Sequence, residues 1–207
     1  MTSTKQKKRV PKGEFGYFRS EQKHRLAVTA LLLALPVGVF IAAWIILKTR
    51  MTIWTVGCVV GCLPACRSIV NLIMLLMRKP MDKELYEEIR SHAGDLTMAY
   101  EMYMTFYEKS AYIDAFAICG NEVVGYSSDP KIDTEYVASE AQKIVRKNGY
   151  KVNVRILKDL RHYQERLDSM REHRDSLEEG IKFQPDEKYP EYSRNEMIRH
   201  TILAICL

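Results

Sequence analysis

The chain has 207 residues, a net charge of +5 and five cysteines, with 28% of its residues charged. That length suits one ordinary domain with an appended segment. The cysteines form no CxxC pair and no zinc-ligand cluster, and no disulfide framework is expected in a reducing compartment. The basic excess does not select nucleic acid, because it divides into +8 over residues 1–50, +3 over 51–80 and −6 over 81–207. The large C-terminal part therefore lacks the positive surface that drives phosphate binding.

Residues 1–25 form a basic arm carrying Lys5, Lys7, Lys8, Arg9, Lys12, Arg19, Lys23 and Arg25. Beside a membrane, such an arm gains roughly 1 kcal/mol per basic residue from anionic lipids. Two apolar runs follow. Leu26 to Leu47 is 22 residues without a charge, and Thr52 to Met77 is 26 residues interrupted only by Arg67. At ~1.5 Å per residue, a helix over the first run matches a hydrocarbon core of roughly 30 Å. The expectation is a two-helix transmembrane hairpin, 26–47 and 52–77, in contact with the lipid bilayer. One span followed by a half-inserted helix ending near Arg67 is the alternative. The first run is too long for the core of a secretory signal peptide and ends in Trp44-Ile45-Ile46-Leu47-Lys48 rather than in small residues. Lys and Arg outnumber the turn residues Lys48 and Arg50 on the flanks, which places both termini in the cytoplasm of a multi-pass cell-membrane protein.

Gly57, Gly61, Pro64 and Ser68 share one stripe of the second helix, with Asn71 at its edge. Small residues at this spacing let another backbone approach closely, either that of the first helix or that of a second copy in a homodimer. Arg67 lies beside the stripe. An intramembrane cation is a functional candidate, but a long stem that snorkels to the headgroups explains it as well. Cys58, Cys62 and Cys66 follow one another every four residues. They read as small apolar side chains, with soft-metal binding or acylation as alternatives.

Residues 81–207 pattern as one small α+β domain of order α-β-β-β-α-β-α-α. Met81 to His92 reads as a helix ending at Gly94. Leu96, Met98, Tyr100, Met102, Met104 and Phe106 alternate as in a strand, although the methionines also suit a helix. Tyr112–Cys119 and Glu122–Ser127 flank Gly120-Asn121, the signature of a tight hairpin. Asp133 caps a helix to Lys147, stopped by Asn148-Gly149. Val152, Val154 and Ile156 mark a fourth strand. Asp159 opens a long polar helix with Leu160, Tyr163, Leu167 and Met170 on one stripe, interrupted at Arg174. Ser193-x-x-Glu196 is a capping box that starts the last helix.

No phosphate loop, dinucleotide fingerprint or nucleophile elbow occurs. His92, His162, His173 and His200 share no ligand spacing. The strand order resembles the core of the restriction-endonuclease-like superfamily. That resemblance implies a metal-holding acid on the second strand, where Asp114 stands, and an (Asp/Glu)-x-Lys triplet at the end of the third, where Tyr126-Ser127-Ser128 stands instead. Metal-dependent phosphodiester cleavage needs those ligands, so an active nuclease is not expected. The whole layout also resembles a group of uncharacterised bacterial two-span membrane proteins, through Gly61-Cys62-Leu63-Pro64-Ala65-Cys66, Glu84-Leu85-Tyr86, Gly94-Asp95-Leu96-Thr97-Met98 and Asn148-Gly149-Tyr150; no activity follows from that. The expectation is a membrane-tethered, non-catalytic interaction or scaffold module, without a cofactor or metal, binding a protein partner or itself. The alternative is an enzyme or ligand sensor with a pocket near Asp114 or Cys119.

Overall fold

The computed structural model describes residues 10–47, 53–76, 79–107, 109–181, 183 and 189–206; within the first two helices, side chains at 40, 43, 44, 46, 47, 53–59, 61, 62, 74 and 75 are not described. The chain divides into two compact units, one containing Gly16–Pro80 and the other combining Val10–Phe15 with Met81–Leu207.

The first unit holds α1 (Tyr17–Leu47) and α2 (Ile53–Leu76), with Pro36 and Pro64 inside them. Both apolar runs do fold as helices. Among the described residues, however, no helix is long and apolar enough to cross a membrane. This finding overturns the transmembrane hairpin, the multi-pass membrane placement and the orientation built on it. A stretch free of charge is not by itself long and apolar enough to span. α1 begins with Arg19, Glu21, Lys23 and Arg25 and carries Thr29, Pro36 and Gly38, while α2 is diluted by Gly57, Gly61, Pro64, Arg67, Ser68 and Asn71. Small and polar residues contribute little to apolar transfer, and Arg67 opposes it. The two helices pack through a short contact between Thr29 Oγ1 and Ser68 Oγ at 2.7 Å, beside the fully buried Ala65.

The second unit is an α+β sandwich around a four-stranded sheet of order β1-β2-β3-β4. The strands are β1 (Thr97–Thr105), β2 (Ser110–Cys119), β3 (Glu122–Tyr126) and β4 (Asn153–Leu157). β1, β2 and β3 pair antiparallel, and β4 joins β3 in parallel after the crossover helix α4 (Thr134–Lys147). α3 (Lys83–Ala93) and α5 (Leu160–Glu172) cover one face through Ile89, Tyr163, Leu167 and Met170; α4 and α7 (Arg194–Ile205) cover the other through Val137, Ala141, Val145, Ile198 and Ile202. The polar helix expected from Asp159 onward breaks at His173, leaving the short α6 (Arg174–Glu178) as a separate turn. Ser193 and Glu196 form the reciprocal capping box at the start of α7, satisfying two backbone donors that a helix start leaves open.

One irregularity shapes the sheet. Side chains three residues apart on a straight strand face opposite sides. Yet Ala99 and Met102 pack on the same face, as do Ile113 and Phe116. Both strands therefore turn over at the same place, between the pairs Tyr100↔Ala115 and Met102↔Ile113. Glu101 and Asp114 sit at this crease, 3% and 2% exposed, and Glu101 adopts φ +52°, a region that costs energy for any residue with a Cβ.

Candidate functional site

The crease explains Asp114. Its Oδ2 accepts a 2.6 Å hydrogen bond from the Ser128 backbone N–H, while the Ser127 hydroxyl donates to the Tyr112 carbonyl at 2.6 Å. The carboxylate thus fixes the exit of β3 to β2. Burial raises the Asp114 pKa, opposed by the Ser128 hydrogen bonds. Glu101 Oε1 accepts from the Met81 backbone N–H at 3.1 Å and so ties β1 to the entry of α3. Burial also raises the Tyr112 phenol, with Asp114, Glu101 and Asp82 adding to the effect. Both carboxylates serve backbone donors. Among the described residues, no group of three or more His, Cys, Asp or Glu side chains is placed to hold a metal ion.

Cys119 ends β2, fully buried. Its thiol is pushed up to about 11 by burial and by Glu178, and its Sγ lies 3.9 Å from Glu178 Oε1. A thiol of that pKa is almost entirely protonated near neutral pH and is a poor nucleophile. Glu178 also accepts from Asn195 Nδ2 at 2.7 Å, and Asn195 Oδ1 accepts from the Gly120 N–H at 3.2 Å. Arg194 closes the network on the Gly120 carbonyl and on Asn121 Oδ1. Above this network opens a hollow of about 310 Å³, with Arg174, Glu178, Arg194, Asn195 and Phe183 in its lining. Cys119 is therefore next to a hollow without lining it, and Asp114 lines none of the three hollows described for this unit.

The stripe proposed on the second helix is placed as follows. Pro64, Arg67 and Asn71 are exposed, and Ser68 is half-buried against Thr29. Gly57 and Gly61 lie on α2 in the stretch whose side chains are not described, as do Cys58 and Cys62; Cys66 is a free, exposed thiol. The basic arm from Lys5 to Arg9 and the turn residues Lys48 and Arg50 lie outside the described residues.

A further surface was not singled out in the sequence. On the outer side of α7, Tyr189 and Tyr192 stack with ring centroids 5.3 Å apart, and His200 packs against both at 5.1 and 6.3 Å. The tyrosines are 37% and 38% exposed. Beside them lies a hollow of about 380 Å³ lined by Lys12, Glu14, Tyr192, Arg199 and His200. A second hollow of about 410 Å³ adjoins it across Arg199 and Glu196 and is lined by Phe15, Tyr86 and Tyr100. Aromatic side chains that present large area at low entropy cost, interleaved with arginine, are the composition of interface anchors. The signal available in the sequence was Tyr189-Pro190-Glu191-Tyr192 before the capping box, but only the fold brings His200 and residues 12–15 alongside it. No protein-family profile, no curated protein and no solved structure matches this chain.

Proposed function

We propose that the chain is a non-catalytic interaction module whose α+β unit receives a partner protein on the outer face of α7. The observation that carries this reading is the exposed Tyr189–Tyr192–His200 stack at the mouth of a hollow shared by Lys12 and Arg199. A catalytic reading has less support, since the carboxylates at the crease hold backbone donors and the Cys119 thiol is buried and protonated. Affinity capture of the full chain beside the Tyr189→Ala/Tyr192→Ala double variant tests the proposal. One protein should co-purify with the native chain at fixed stoichiometry and fall at least ten-fold with the variant, whose melting temperature stays within a few degrees. A native chain that elutes alone, or a variant that retains the partner, contradicts it.

A second reading, a small-ligand sensor, has its own observation: the hollow over the Gly120 turn gathers Arg174, Arg194, Glu178 and Asn195, the few convergent polar groups that ligand pockets use. Native mass spectrometry of the gently purified chain distinguishes it. A bound small molecule lost on Asn195→Leu supports the sensor, and ligand-free chain in both cases counts against it.

A further inference from the structure

β1 is an edge of the sheet, and an edge strand presents unpaired N–H and C=O groups that attract further strands. Here part of that edge is taken by the chain itself. The Gly13 carbonyl accepts from the Tyr100 N–H at 2.9 Å and from Arg199 at 3.3 Å. The Lys12 ammonium donates to the Cys206 carbonyl. Phe15 stacks on Tyr86 at 4.2 Å with the rings 13° from parallel, and Tyr86 meets Tyr100 edge-on at 5.0 Å. Further along the edge, Met104 bridges Cys206.

Three features set residues 10–15 apart from the rest of the unit. They form neither helix nor strand. All of α1 and α2 separates them in sequence from the sheet they touch. They also underfill their seat, since both hollows of the α7 face are lined partly by them, one by Lys12 and Glu14 and the other by Gly13 and Phe15.

We infer that residues 10–15 are the resident occupant of a peptide-accepting groove on the β1 edge and α7, and that a peptide with an aromatic side chain two residues after a glycine, folded in the same turn, exchanges with them. The inference rests on the interaction reading and adds regulation of the same face: the tethered segment competes with an incoming peptide for the Tyr100 N–H and the ring of Tyr86. A tethered competitor acts at an effective concentration of order mM, so free peptide binds the native chain weakly. Gly13 is the lever. It adopts φ +84°, a conformation that strains any L side chain and a branched one most, so a branched residue at 13 disfavours the seated segment.

The probe is a fluorescent heptapeptide of residues 10–16, Val-Pro-Lys-Gly-Glu-Phe-Gly, titrated by anisotropy against the full native chain and against Gly13→Val. The peptide should bind Gly13→Val at least ten-fold more tightly than the native chain, and a peptide with alanine at the Phe15 position should lose at least ten-fold. Equal binding to both chains, or no saturable binding to a folded Gly13→Val, overturns the inference. Should Gly13→Val fail to fold, Phe15→Ala in the full chain removes only the stack. The Tyr100 amide should then exchange with deuterium at least ten-fold faster than in the native chain and slow again when the heptapeptide is added; an unchanged rate, or one the peptide does not slow, overturns it. These readouts are separate from partner capture by Tyr189 and Tyr192, so a failure of regulation by the segment is told apart from a failure of the interaction function.

Discussion

Asp114 illustrates how a buried carboxylate is spent. Its pKa is raised chiefly by burial, so ionising it costs more in the folded chain than in the unfolded one. The folded state therefore gains stability as pH falls from the raised native pKa towards the ordinary carboxylate range near about 4, and loses it as pH rises through the native value. Asp114→Asn cannot ionise and keeps an oxygen for the Ser128 N–H. In urea melts it should match or exceed the native chain at neutral pH, with the advantage gone by about pH 4; a variant less stable than the native chain at neutral pH contradicts this. Asp114→Ala leaves the Ser128 N–H without its acceptor and should cost about 1–3 kcal/mol at any pH. The cysteines offer a second check at this scale. Burial pushes Cys206 up to about 12 and Cys119 up to about 11. Mass mapping after iodoacetamide treatment should find Cys66 alkylated in the native chain, and Cys119 and Cys206 only once it unfolds.

Among the elements, the β2–β3 hairpin and α7 are fixed by local chemistry. Gly120 adopts φ +58°, and a Cβ there would come within 2.1 Å of the Leu177 carbonyl oxygen. Gly120→Ala should destabilise the unit by about 1–3 kcal/mol or more. Ser193→Ala removes one half of the capping box and should cost about 1 kcal/mol; equilibrium denaturation of both variants measures these values. Signals of this kind made most elements legible: Gly120-Asn121 announced the hairpin, Asp133 capped α4 as expected through the Tyr136 N–H, and the period of two marked β1. What the pattern could not carry was the crease. Leu96, Met98, Tyr100, Met102, Met104 and Phe106 read as one continuous stripe, yet Tyr100 packs towards α3 and α5 whereas Met102, Met104 and Phe106 pack towards α4 and α7. With both faces of the sheet apolar, the change of face leaves no mark in hydrophobicity, and Glu101 looks like any polar residue on a solvent side. The first two helices were legible as helices, but charge-free length did not carry the membrane span inferred from it.

For the whole molecule, the decisive features are non-local. Val10–Phe15 belongs to the same compact unit as Met81–Leu207, and no periodicity or motif in the intervening residues announces it. Lys12 reaches Cys206, 194 positions away, and Arg199 reaches Gly13, 186 positions away. The α7 face is assembled from residues far apart in sequence, so no local pattern marks it, whereas Asp114 and Cys119 are each legible as a polar or sulfur-bearing residue on a strand. Incorporation of a photo-crosslinking phenylalanine at position 192 of the full chain, with the same residue at the exposed Glu135 on α4 as control, tests the interaction face most directly. A discrete protein adduct at 192 that is absent at 135 and is abolished by Tyr189→Ala is the predicted result. No adduct at 192, or identical adducts at both positions, would contradict it.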